Sequence, residues 1–237
     1  MKILSIECSA TPCSAAVIED GKILSSGFVN IKLTHSQTLM PMVDMVLKSA
    51  LLKLDDIDGF ALSAGPGSFT GIRIGISAIK GMAAAEKMPC VGVSTLRAMA
   101  ENYSDTNCIV CAVMDARCNQ VYNALFRIKD GIVTRLSDDR ALLCTELKTE
   151  IEEKYINKGE KIIVVGDGSE VFYPFVEEFD DVKISDSQRR FQNAVGVGLA
   201  ATDDFKNQKA INPEELLPVY LRLPQAEREL KLRSEAK

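Results

Sequence analysis

Three stretches of the chain carry residue types that could do chemistry. SAGPGSFTGIRIG (63–75) places Gly65, Gly67, Gly71 and Gly75 just before and within an apolar run. A glycine-rich turn entering a helix can cradle phosphate, because free backbone N–H groups converge there. The named versions do not fit. A P-loop needs G-x-x-x-x-G-K-[ST], whereas Gly67 to Gly71 closes early and no lysine follows. A dinucleotide turn needs G-x-G-x-x-G, and Gly65, Gly67 and Gly71 are spaced one residue too long. A generic anion site at this helix start is the phosphate reading that remains.

The second constellation is acidic. Glu7 with Ser9 and Thr11, and Asp115 with Ala116 and Arg117, each put a carboxylate where a strand should end in a small-residue turn. Such a turn can hold magnesium and phosphate. Ser9 and Thr11 could donate hydrogen bonds, but no glycine lets the backbone approach a phosphate. Gly166 and Gly168 form a second glycine-flanked turn, GDGS, which matches GPGS at 65–68. Together these residues are candidates for a nucleotide cleft that is incomplete on both sides. The third stretch holds His35, the one histidine of the chain. Zinc wants several converging His or Cys ligands, and a catalytic histidine wants a nucleophile and an orienting acid. Ser36 beside it supplies neither arrangement, so His35 reads as a helix-start residue with a polar partner.

The glycines have another reading. Gly71, Gly75, Ala78 and Met82 share a helix face, and Ile72, Ile76 and Ile79 share the next. Small residues allow helix axes closer than the usual 8–10 Å. Arg73 and Lys80 frame the patch, and Met42, Met45 and Leu52 add an apolar set on the preceding helix. A helix apolar on more than one side is either deeply buried or an interface, and spacing alone leaves both open.

The elements that must position these residues follow from pattern. The chain has 237 residues, room for two lobes of about 100–120 residues each. It is 46% hydrophobic and 26% charged, without Trp, so the core must be aliphatic. A net charge of −5 gives no bulk attraction to nucleic acid. The start, ILSIECS, is too short and polar for a secretory leader, and no apolar run suits a membrane span. Seven cysteines read as reduced thiols in a cytoplasmic protein. CIVC (108–111) lies in a strand pattern, where residues three apart face opposite ways, so it is not a metal or redox pair.

Strands are expected at 2–9, 14–20, 22–30, 57–65 and 89–94, with helices from Thr34, at 70–87 and at 95–103. Thr34 and Gln37 have capping-box spacing. Leu39, Val43, Val46, Leu47, Ala50, Leu51 and Leu54 mark one buried face, and Pro41 should kink the first turns. The second half repeats this order: strands at 108–116, 119–128, 131–137, 160–168 and 181–185, with helices at 145–155, 169–179 and 191–205. Asp20-Gly21 and Asp130-Gly131 mark equivalent hairpins. The order β-β-β-α-β-α-β-α therefore occurs twice. This predicts an α/β protein of duplicated actin-like, ribonuclease H-like lobes, 1–104 and 105–222, the last helix packing back on lobe one, with a tail at 223–237. That group binds nucleotide between its lobes, but fold does not establish activity.

THSQTLMPMVDMVL (34–47), SAGPGSFTGIRIG (63–75), MDARCNQVY (114–122) and LPVYLR (217–222) together resemble the bacterial TsaB (YeaZ) family. The resemblance runs from the first strand to about Arg222. It implies the actin-like fold and a role in making threonylcarbamoyladenosine beside the anticodon of tRNAs that read codons starting with A. TsaD, the family's catalytic relative, binds metal through paired histidines on the corresponding first helix. Here only His35 stands there, and residue 39 is leucine, so no metal site is implied. The resemblance implies a non-catalytic scaffold that pairs with TsaD through lobe-one helices 34–53 and 70–87, or with itself as a homodimer when TsaD is absent. The interface residues would be His35, Leu39, Met42, Met45, Gly71, Arg73, Gly75, Ile76, Ala78 and Met82. The further partners are the ATPase TsaE and, through these subunits, tRNA; ATP or ADP would belong to the complex, with no cofactor assigned to this chain alone. The family's first turn is Asp-Thr-Ser-like, whereas this chain has Glu7-Cys8-Ser9, which weakens a nucleotide role. An independent actin-like ATP-binding enzyme is the competing reading. A metallopeptidase is a third, without visible zinc ligands or nucleophile.

Overall fold

The computed structural model describes residues 1–84 and 86–222. Its first half runs β1 (Lys2–Glu7), β2 (Cys13–Glu19), β3 (Lys22–Val29), α1 (His35–Ser49), β4 (Gly59–Gly65), α2 (Phe69–Ala83), β5 (Cys90–Ser94) and α3 (Thr95–Glu101). The second runs β6 (Cys108–Asp115), β7 (Gln120–Lys129), β8 (Ile132–Arg135), β9 (Arg140–Leu143), α4 (Cys144–Lys154), β10 (Ile162–Val165), α5 (Ser169–Phe172), β11 (Val182–Ile184), α6 (Ser187–Arg190) and α7 (Ala194–Lys206).

The two sheets have the same strand order, β3-β2-β1-β4-β5 and β8-β7-β6-β10-β11, with β9 added to the far end of β7. In each, three antiparallel strands lead into two parallel ones. Both hairpins turn on Asp-Gly pairs with positive φ at both positions: Asp20 and Gly21, Asp130 and Gly131. That geometry matches the strand twist and suits these residue types.

Each sheet is covered on two faces. On the first, α1 and α2 press Leu39, Val43, Val46, Ile72 and Ile79 against Leu4, Ile6, Val17 and Leu62. On the second, α4 and α5 supply Leu147, Ile151 and Phe172 against Ile109, Cys111 and Val164. The remaining faces are covered by exchange. The last helix of the first half, α3, sets Leu96, Met99 and Ala100 on Val110, Ala112 and Phe126 of the second sheet. The last helix of the second half, α7, sets Val197, Ala200 and Ala201 on Ile3, Ala61, Val91 and Val93 of the first sheet. The two exchanged helices also pack on each other. Gly196 lies where a Cβ would strike the Ala98 carbonyl, and Arg97 Nη1 reaches Asp204 Oδ2 at 2.7 Å.

Several details differ from expectation. Thr34 precedes α1, but its side chain makes no cap bond; the Gln37 backbone N–H donates to the Thr34 carbonyl instead. Leu51 is 93% exposed, because its left-handed backbone ends the helix and turns it outward. The helix expected at 70–87 stops at Ala83, and that at 169–179 is the short α5 followed by a 3₁₀ turn around Pro174. β9 and α6, each four residues long, carry no periodic signal. Cys108 sides with the α3 cluster and Cys111 with the α4 cluster, on opposite faces of β6. The tail at 223–237 lies outside the described residues.

Candidate functional site

The first and sixth strands end in acids that do the same local work. Glu7 is fully buried. Its Oε1 accepts the Ser9 N–H at 2.5 Å, and the Ser63 hydroxyl donates to its other oxygen. Burial pushes the Glu7 carboxyl above its ordinary pKa, against the opposing pull of the Ser63 and Ser9 bonds. Asp115 Oδ1 accepts the Arg117 N–H at 2.7 Å, two residues on, as Glu7 does from Ser9. The duplication thus reaches single hydrogen bonds.

The glycine turns dock on these strand ends. A Cβ at Gly67 would strike Ser9, and the Ser68 N–H donates to the Ser9 carbonyl at 2.6 Å. A Cβ at Gly71 would enter the Cys8 carbonyl, and one at Gly75 would lie 2.7 Å from Cys8 Sγ. Ser68 caps α2 by accepting the Gly71 N–H. In the second half, Gly168 lies against the Met114–Asp115 backbone, and Gly166, at φ +101, lies against the Val113 carbonyl. At these positions glycine is what lets the turns lie directly on the strand ends.

This corrects part of the expected interface. Gly71, Gly75, Ile76, Leu39 and Met42 are buried within the chain itself. The glycines let α2 settle on Cys8, and Met42 belongs to the sheet-one core rather than to an outer stripe. Ala78 and Met82 are half-buried at its edge. Met45, 46% exposed, and Arg73 face outward; so does Met40, 45% exposed, which spacing did not single out. His35 is half-buried. Its Nε2 donates to the Ala10 carbonyl at 2.8 Å, and its ring adjoins Gly71. It pins the turn after β1 to the start of α1.

Of the cleft candidates, Glu7, Ser9, Gly166 and Gly168 are buried, Asp115 is half-buried and Thr11 is exposed. Two residues were missed. Asp167 sits between Gly166 and Gly168, and Gln192 Nε2 donates to its Oδ1 at 2.5 Å. Burial first, then the nearby Asp115 and Glu7, push the Asp167 carboxyl up to about 6, against the Gln192 bond. The GDGS spacing held the signal for Asp167; nothing local marks Gln192. Asp167 therefore shares this end of the two sheets with the acids that close β1 and β6. Among the described residues no group of three or more His, Cys, Asp or Glu is placed to hold a metal ion, and no helix is long and apolar enough to cross a membrane.

Comparison with known proteins identifies the lineage. A family model for TsaD, tRNA N6-adenosine threonylcarbamoyltransferase, matches residues 30–230. The tRNA threonylcarbamoyladenosine biosynthesis protein TsaB of Escherichia coli is 31% identical over 94% of this chain and 95% of its own length. The solved structure of YeaZ from Pseudomonas aeruginosa superposes with a TM-score of 0.77 at 26% identity, covering 93% of this chain and 99% of that one. At 13% identity and a TM-score of 0.51, component A of (R)-2-hydroxyglutaryl-CoA dehydratase from Acidaminococcus fermentans shares the fold alone, over 88% of this chain and 99% of that one. With two actin-like lobes, a full-length relative at this identity and a family match over most of its length, the chain belongs to the TsaB family of tRNA threonylcarbamoyladenosine biosynthesis proteins.

Proposed function

We propose that this chain is the non-catalytic partner subunit of threonylcarbamoyladenosine synthesis, seating a TsaD-like catalytic subunit on the outer side of α1 and α2. The observation that carries the reading is the exposed character of that helix pair. Met40 and Met45 stand out from α1, and α2 presents Thr70, Arg73, Ser77 and Gly81, with open space over Gly81. Methionines adapt to a partner's contour, and small outer residues let a partner helix approach closely. The cleft supports the same reading from the other side. Its Gly67, Gly71, Gly166 and Gly168 pack against the chain's own backbone. Self-association through the same surface, a TsaE-like ATPase, nucleotide held only in the assembled complex, and tRNA reached indirectly complete the proposal.

Light scattering of the full chain, alone and with TsaD, tests it. The native chain is expected to form a complex, and Met40→Asp with Gly81→Arg to abolish it, lowering affinity at least about 100-fold, in the range of a lost interface anchor. Both positions point to solvent, so circular dichroism should stay native. A variant that pairs like the native chain would sink the proposed surface. ATP turnover by the isolated chain would instead favour an independent enzyme.

A further inference from the structure

Residues 213–222 follow the last helix and lie over α2 and the mouth between the sheets. Leu216 is buried in the first lobe's core, and the Glu214 carbonyl accepts Lys80 Nζ at 3.1 Å. The Val219 N–H donates to the Ala64 carbonyl at 2.8 Å, at the end of β4. The Tyr220 ring stacks on Phe69 with centroids 4.3 Å apart, and its hydroxyl accepts from Arg73 Nε at 2.8 Å. Arg222 Nη1 then donates to the Ala116 carbonyl at 2.6 Å, one residue beyond the acid that ends β6. Pro66, Gly67 and Phe69 of the first lobe and Tyr122 of the second share one shallow depression with 219–222. A short extended segment thus ties the C-terminal end of β4 to the loop after β6.

We propose that 216–222 is a latch that fixes the angle between the lobes and links the outer side of α2 to the cleft. Among the described residues the lobes also meet where α3 and α7 cross and where Ala10, in the turn after β1, enters the core cluster of the second sheet, contacts about which two packed bodies can rotate. On the first lobe the latch is held by a buried leucine, a ring stack and a backbone bond. On the second it is held by the Arg222 guanidinium on one carbonyl, a polar contact that solvent can replace. The asymmetry makes the Arg222 end the one that releases. Arg73 supplies the link, because the guanidinium that faces solvent on α2 also positions Tyr220, two residues before Arg222. The latch stands independently of any partner. Its use as a sensor of partner binding rests on the proposed function, since Arg73 lies on the surface assigned to the TsaD-like subunit.

The chain supplies a label site at the mouth: Cys118 is exposed, two residues past Ala116, and of the other cysteines only Cys108 is not buried. Spin labels on Cys118 and on Thr70→Cys, in full-length protein carrying Cys108→Ser, report the lobe separation by double electron–electron resonance. The parent is expected to give one narrow distance. Arg222→Ala is expected to broaden the distribution at least about twofold toward longer distances, as for a freed hinge, and Arg222→Lys, which keeps a donor, to restore it. Tyr220→Phe and Arg73→Ala should broaden it similarly, with near-ultraviolet circular dichroism confirming native packing. An Arg222→Ala distribution equal to the parent's overturns the latch. Broadening with Arg222→Ala but not with Arg73→Ala overturns the link to α2. Neither reading uses TsaD, so failed pairing with TsaD would count against the proposed function alone.

Discussion

Asp167 has its charge held back by its surroundings. Its carboxyl titrates near 6 in the folded chain, against about 3.9 when unfolded. Between those values the folded state binds more protons than the unfolded one, so this residue's contribution to stability is full below about pH 4 and is lost as pH rises through 6. Asn at this position keeps an oxygen for Gln192 and removes the ionisation. Asp167→Asn should therefore stabilise the protein at pH 7.5 by about 2 kcal/mol, or roughly 5 °C in melting temperature, and have little effect at pH 4. Melting curves at the two pH values check this, and an equal shift at both would show that charge is not the cause. The residue also marks where reading the sequence stopped. Glu7, Asp115 and the two glycine turns were legible as a paired constellation, because spacing repeats. That Gly67 and Gly71 meet Ser9 and Cys8, rather than a ligand or a partner, was not. Spacing fixes which residues share a helix face and leaves open what that face touches.

The end of α1 shows how element boundaries depend on backbone bonds that composition does not announce. The Leu52 N–H donates to the Leu47 carbonyl at 2.9 Å and the Leu51 N–H to Lys48 at 3.0 Å, with Leu51 at φ +57. This is the paired-bond helix stop that glycine usually makes, built here with a leucine. Helical spacing extends the expected face through Leu51 to Leu54, beyond the observed end at Ser49, whereas the hairpins at Asp20-Gly21 and Asp130-Gly131 were legible because their residue types demand positive φ. Leu51 contributes little packing, being almost fully exposed. Leu51→Gly should relieve the left-handed strain and stabilise the chain by about 1 kcal/mol, read as a higher midpoint in urea with unchanged slope. A lower midpoint would mean that the leucine makes contacts in the native state that outweigh the strain.

The duplicated order of elements was readable because each half repeats its strands, turns and crossovers at matching intervals. The exchange of α3 and α7 is a long-range fact, and it was legible only in part: a return of the last helix to lobe one was expected, but not the reciprocal crossing of α3. Both helices are small-residue-rich and apolar, which says that they are buried and not on which sheet. The exchange bears on whether the repeats are folding units. Without α7, the first sheet bares Ile3, Ala61, Val91 and Val93 on a whole face, while α3 loses the strands that it covers. Without α3, the second sheet bares Val110, Ala112 and Phe126, and the buried Asp204 loses its Arg97 partner. Neither half can close a core by itself, and small domains have little stability to spare. Residues 1–104 expressed alone should give collapsed amide dispersion and no cooperative melt. Co-expression with 105–237 should restore a soluble, cooperatively melting complex, because each fragment brings the helix that the other lacks. A cooperative transition in isolated 1–104 would show that α1 and α2 suffice to hold the first sheet, and that the exchanged helices join two lobes already folded.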